Sequence, residues 1–210
     1  MDKAKQSVFE KIYSQREWTS KESASGAGSE LLATEHVRAN LPSLVKRLGV
    51  KTLLDVGCGD FNWMKAIQLP CKYIGVDIVN TLIKEHERRY GGANREFRCL
   101  DLVEDPLPAA DLIVCRLCFQ HLPTREVLKA IGHFQESGAE WLLATSFWWP
   151  VNDDIPSGGF RYLNLCIEPF NFPPPIYGIH ENPAPHCSVT LGLWRLKDCA
   201  LSRNGRSETR

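Results

Sequence analysis

Apolar positions along the chain change their rhythm near residue 50. Before it they recur at helical spacing: Val8, Phe9 and Ile12 give one short face, and Leu31, Leu32 and Val37 begin another. Residues 42–48 predict a further helix, with Gly49 as its C-terminal stop. The small-residue stretch SKESASGAGSE, residues 20–30, reads as a loop between them. Beyond residue 50 the apolar residues gather into short runs: KTLLDV (51–56), YIGVDI (73–78), EFRCLDL (96–102), DLIVCRL (111–117) and AEWLLATSF (139–147). Runs of this length bounded by turn residues predict buried strands. Between them, three sets fall at helical spacing: Trp63, Met64 and Ile67; Val79, Leu82, Ile83, His86 and Tyr90; Val127, Leu128, Ile131 and Phe134. Gly91-Gly92 closes the second, and Pro123 with Thr124 opens the third. The alternation predicts an α/β fold: a doubly wound, mostly parallel sheet with helices on both faces.

Residues 148–187 break the rhythm. They hold most of the chain's thirteen prolines, with aromatic residues between them. An irregular stretch of that length inside a compact domain predicts a lid or insertion that shapes a site. SVTLGLWRL (188–196) returns as a last strand, and the polar tail 202–210 is expected to fray. The layout is thus one domain: a helical N-terminal cap (1–50), a core (51–147), a proline- and aromatic-rich insertion (148–187) and a final strand (188–201).

Composition narrows the function classes. Lys plus Arg equals Asp plus Glu, 25 each, so no net field draws in nucleic acid or an anionic membrane. No apolar run approaches the roughly 20 residues that span a bilayer, and MDKAKQSVFEKIYSQREW lacks the apolar centre of a secretory signal. Most of the eight cysteines fall inside apolar, strand-like runs, as small hydrophobes of a reducing compartment do. The expectation is a cytoplasmic protein that uses no membrane and no nucleic acid.

The chemistry starts at LLDVGCGDFNWM (53–64). A buried strand ends in Asp55, and Gly57 and Gly59 allow a sharp turn and close backbone approach to a ligand. The dinucleotide fingerprint needs a third glycine where this chain has Asn62, and Asp55 and Asp60 stand where a pyrophosphate would be repelled. A cationic cofactor without phosphate fits better. Asp77 follows the second strand about 20 residues past the glycines, and Asp101 follows the third. Three acids at successive strand ends line up along one sheet edge, where ribose hydroxyls and an adenine amino group find acceptors.

LLDVGCGD, YIGVDIV, FRCLDL and DLIVCRLCFQHLP resemble motifs I, post-I, II and IV of the class I S-adenosylmethionine (SAM)-dependent methyltransferases, over residues 51–147. The resemblance implies a Rossmann-like fold and SAM as cofactor with S-adenosyl-L-homocysteine as product; Asn152-Asp153-Asp154 could suggest a divalent cation, but adjacent acids in a loop are more often solvated, so no metal is expected. It places Asp55, Gly57, Cys58, Gly59 and Asp60 around the methionine portion, Asp77 with Ile78 at the ribose, and Asp101 with Leu102 at the adenine. Gly28, in the N-terminal SGAGSE loop, either contacts the methionine end or merely connects helices. The chain departs from the family pattern at Phe61, where many members carry a third glycine. It also shows one clear strand after the fifth where two are usual, and FRYLNLCI (160–167) is the candidate for the missing one.

Methyl transfer from a sulfonium needs the acceptor lone pair in line, and sometimes a base. His121, just past the fourth strand, is the first choice for that base, with a helix-capping role as its rival. Arg116 either meets an anionic acceptor or the cofactor, or pairs with an acid. In the insertion, Trp148, Trp149, Asn152, Arg161 and Asn164 are the candidate acceptor contacts. The expected activity is methylation of an O or N atom of a small metabolite or saccharide. A nucleic-acid or protein methyltransferase and a non-catalytic SAM-binding module are the alternatives. RLCFQHLP lacks the Asn/Asp-Pro-Pro-aromatic string of amino-methylating nucleic-acid enzymes, which disfavours the first.

Overall fold

The computed structural model describes residues 2–18, 20–181 and 188–199. The tail expected to fray and residues 182–187 of the expected insertion lie outside them. Seven strands form one sheet: β1 (Thr52–Val56), β2 (Lys72–Asp77), β3 (Arg95–Cys99), β4 (Leu112–Cys115), β5 (Trp141–Phe147), β6 (Tyr177–His180) and β7 (Val189–Arg195). Their spatial order is β3-β2-β1-β4-β5-β7-β6. The first five are mutually parallel, and β7 runs antiparallel to both neighbours. The chain reverses its direction of travel at β1, which leaves a crevice above the carboxyl ends of β1 and β4.

Alternation along each strand divides the core into two layers. Leu54 and Val56 of β1 join Ile113, Leu142 and Ala144 beneath α1 (Lys3–Gln15) and α4 (Thr124–Glu136). Leu53 turns the other way with Leu112, Val114 and Leu143, against α2 (Glu35–Leu48) and Ile83 of α3 (Asn80–Tyr90). β1, β2, β4, β5 and β7 therefore bury both faces, which explains why their runs read as continuous rather than alternating apolar sequence.

Three local expectations change. Residues 42–48 are not a separate helix but the second half of α2, which continues through Pro42 and stops at Gly49 in the left-handed region (φ 68°) as expected. The stripe Trp63, Met64 and Ile67 forms only a short 3-10 turn, Met64–Ala66. Residues 160–167 contain no strand; the missing one is β6, a short edge strand whose pairing with β7 sets its conformation. Among the described residues, no helix is long and apolar enough to cross a membrane, and the described cysteines are all free thiols.

The insertion is fastened rather than loose. Asp154 accepts the Thr124 amide at 2.7 Å and so caps α4 from a distance of thirty residues. Under it, Phe134 of α4 is fully buried and stacks on Phe119 at 5.6 Å between ring centroids. Phe134→Ala is expected to lower stability by about 3–5 kcal/mol through the cavity it leaves, read as a fall in the urea midpoint at unchanged slope.

Candidate active site

The crevice holds a cavity of about 580 Å³. Its floor is the turn after β1, where Gly57 (φ 72°) and Gly59 (φ 59°) both adopt the left-handed region. A Cβ at Gly57 would lie 2.8 Å from the Cys118 sulfur, so the turn also needs glycine for space. Phe61 stands where a third glycine would be, and it too has positive φ (60°). Its ring packs among Tyr73, His86, Tyr90 and Phe97, which offsets the strain of that backbone.

Every amide of the turn is already committed. Gly57 and Cys58 donate to the Val76 carbonyl at 2.9 and 3.0 Å, Gly59 to Asp77 at 3.0 Å, and Asp60 to the Ser25 hydroxyl at 2.9 Å. A pyrophosphate would find no donor here, unlike in a dinucleotide or P-loop site. Acids face the cavity instead. Asp77 also accepts the Val79 amide at 3.0 Å, which fixes the carboxylate. Burial raises its pKa, against the pull of those two amides. Asp55 accepts the Tyr73 hydroxyl at 2.7 Å. Burial pushes its pKa up to about 7; the Tyr73 bond opposes this and the nearby Asp77 charge adds to it. Two buried acids whose pKa values burial raises gain from a positive ligand beside them.

Ile78, Leu102 and Asp101 extend the lining past the ends of β2 and β3. Asp101 is held by the N-terminal helix: Lys5 Nζ lies 3.2 Å from both carboxylate oxygens and 3.3 Å from Glu126. The N-terminal cap closes the opposite wall, with Phe9, Tyr13, Trp18 and the loop carrying Gly28 all lining the cavity. Asp60 lies beneath the cavity, where it accepts the Ser23 hydroxyl and the Ala24 amide at 2.9 and 2.7 Å and so pins that loop down.

Arg116 lines the cavity just past β4, buried and paired through Nε with Glu181. Its Nη2 donates to the Gly28 carbonyl at 2.7 Å, and its guanidinium lies 5.3 Å from the Trp63 ring centroid. His121 stacks on Trp18 at 4.7 Å, and its Nδ1 lies 2.7 Å from the Gly159 carbonyl. A carbonyl only accepts, so Nδ1 carries the proton and Nε2 keeps its lone pair. Burial lowers the His121 pKa, which favours the neutral ring.

The five candidate contacts from the insertion lie off the cavity. Trp148 is half exposed, its indole donating to Thr190 at 3.2 Å, and Trp149 packs on Tyr162. The Asn152 side chain donates to the Asn164 carbonyl and accepts the Asn164 amide, both at 2.8 Å, and the Asn164 side chain donates to the Trp149 carbonyl at 2.9 Å. Arg161 reaches the Leu122 carbonyl and the Thr124 hydroxyl at 2.7 and 2.8 Å. Arg161 ties the insertion to α4 and Trp148 ties it to β7, while the other three fasten it to itself. Residues that line the site from outside the motifs include Lys5, Trp18, Phe147, Phe160 and Glu181. No local pattern marks them, because they come from the cap, the end of β5, the insertion and the residue after β6. Among the described residues, no three His, Cys, Asp or Glu side chains converge as metal ligands.

Residues 53–137 match a family described as a methyltransferase domain. Comparison with curated protein sequences gives no match. Among solved structures, magnesium protoporphyrin IX methyltransferase from Synechocystis PCC 6803, with SAM bound, aligns over 90% of this chain and 96% of its own at 13% identity and TM-score 0.56. The N-methyltransferase NodS of Bradyrhizobium japonicum WM9 aligns over 69% of this chain and 74% of its own, at 17% identity and TM-score 0.49. Human N-acetylserotonin methyltransferase aligns over 51% of this chain, at 16% identity and TM-score 0.43. The chain spans only a third of that human enzyme's length. The match over residues 53–137, the sheet order and the glycine turn make this chain similar to methyltransferase domains, on a fold shared with the Synechocystis enzyme.

Proposed function

We propose that the protein transfers a methyl group from SAM to an O or N atom of a small acceptor, a metabolite or saccharide, and releases S-adenosyl-L-homocysteine. The observation that carries this reading is the turn after β1: its amides are all spent within the chain, while Asp55 and Asp77 face the cavity. Such a pocket rejects phosphate and suits a cationic nucleoside. When bound, SAM supplies an electrophilic methyl group on its sulfonium.

The chain's own groups then have distinct tasks. Asp77, held by two amides, presents its remaining lone pairs to the ribose hydroxyls. Asp101 and Leu102 serve the purine end, and Ile78 and Cys58 cover the flanks. Asp55 and the Arg116–Glu181 pair lie at the amino-acid end, beside Gly28. His121 Nε2 takes the acceptor's proton as the new bond forms, while the Gly159 carbonyl stabilises the charge on the other side of the ring. The cap and the aromatic wall exclude water, so that the methyl group meets the acceptor rather than solvent.

Asp77→Ala should weaken SAM binding by about 1–3 kcal/mol, through lost charge-assisted bonds; an unchanged calorimetric affinity rejects the ribose assignment. A positive ligand stabilises ionised Asp55, so binding should release a proton near neutrality. SAM affinity should therefore rise from pH 6 to pH 8, across the free-state value of about 7, and Asp55→Asn should flatten that rise. His121→Ala should cut turnover by about 10²- to 10⁴-fold and leave SAM affinity intact. Because burial lowers the His121 pKa, the acid limb of the wild-type rate profile should fall below pH 6.5. A variant with full activity removes His121 as the base.

A further inference from the structure

The half of the cavity away from Asp77 and Asp101 has a different chemistry. Trp18, His121, Phe160 and Phe147 form a continuous run of rings, with successive centroids 4.7, 5.9 and 6.4 Å apart. The run is built, not incidental. The Gly158 amide donates to the His121 carbonyl at 2.8 Å, the Arg161 amide to the Gln120 carbonyl at 3.1 Å, and His121 Nδ1 to Gly159. These bonds bracket Phe160, which remains 56% exposed although it lines the cavity. An apolar ring held by a backbone ladder at a pocket mouth is a surface waiting to be covered.

The polar inventory of this half is small. Gln120 is buried, lines the cavity, and has no side-chain partner among the described residues. His121 Nε2 is likewise free. The cations lining the cavity among the described residues are Lys5 and Arg116, and both already face carboxylates. An anionic acceptor would therefore enter without a counter-charge. A saccharide would bring several hydroxyls to a wall that can pair with two groups, and each hydroxyl buried without a partner costs affinity.

We infer that the acceptor is a flat, uncharged aromatic molecule carrying a single reactive hydroxyl or amine, laid against the ring run at Phe160, with Gln120 and His121 Nε2 at its protic group. This rests on the methyl-transfer reading and narrows it away from saccharides. In the reaction, the acceptor's oxygen or nitrogen lone pair forms the new bond to the methyl carbon. The carbon–sulfur bond breaks with its electrons going to sulfur, and the acceptor's proton passes to His121.

The test uses the full chain and three probes: 2-naphthol, 2-naphthoate and methyl α-glucoside. Wild-type protein is first titrated with SAM by calorimetry, then saturated with S-adenosyl-L-homocysteine and titrated with each probe. Failure to bind SAM overturns the methyl-transfer reading itself. If SAM binds, 2-naphthol should bind to the loaded protein and the other two should bind at least about tenfold more weakly. Phe160→Ala, at an exposed position, should weaken 2-naphthol about tenfold while SAM affinity stays within about twofold. Preference for the glucoside or the carboxylate, no binding of 2-naphthol, or an unchanged 2-naphthol affinity in Phe160→Ala overturns the acceptor assignment while leaving SAM binding in place.

Discussion

Between Val56 and Phe61 the chain must reverse at the edge of a buried sheet, and each amide in that turn has to find a partner without water. The solution uses the neighbouring strand's last carbonyl at Val76, the carboxylate of Asp77 and the hydroxyl of Ser25. Much of the site follows from this constraint. Because Asp77 receives the Gly59 amide, its carboxylate is locked over the turn. Because Ser25 receives the Asp60 amide, the loop from the cap is drawn down against the same turn. Asp60 answers by accepting from Ser23 and Ala24. Backbone satisfaction and site assembly are here a single event.

The same arrangement sets the electrostatics. Asp55 and Asp77 sit in one buried region, and their separate costs add. Neither is neutralised by Lys5, which serves Asp101 and Glu126, and Arg116 gives its Nε to Glu181. The acids are thus left short of positive charge where they line the cavity. That shortage destabilises the pocket, and a cation beside the acids would relieve it.

How much of this was legible beforehand follows from the range of the interactions. The five parallel strands and the acid ladder could be read directly, since apolar runs ending in Asp or Gly record local strand ends. Gly57 and Gly59 could be read because only glycine tolerates both the backbone angle and the space. The edge strand β6 was missed because its conformation is imposed by β7 rather than by its own composition. The acceptor contacts were sought in the insertion by residue type. Asn152, Asn164 and Arg161 proved to spend their polar groups on the chain itself. Phe160, in the same segment, reaches the cavity because a ladder to residues 120 and 121 holds it there. That ladder joins positions about forty apart, which no window along the sequence reveals.

The clasp of Lys5 on Asp101 ties the first turn of α1 to the far end of the pocket. Phe9, Tyr13 and Trp18 continue that contact along the wall. A fragment trimmed to begin at residue 20 would retain all seven strands and every signature string, yet its chamber would stand open along one side. For this protein, the choice of amino-terminal boundary in an expression vector is a choice about the pocket.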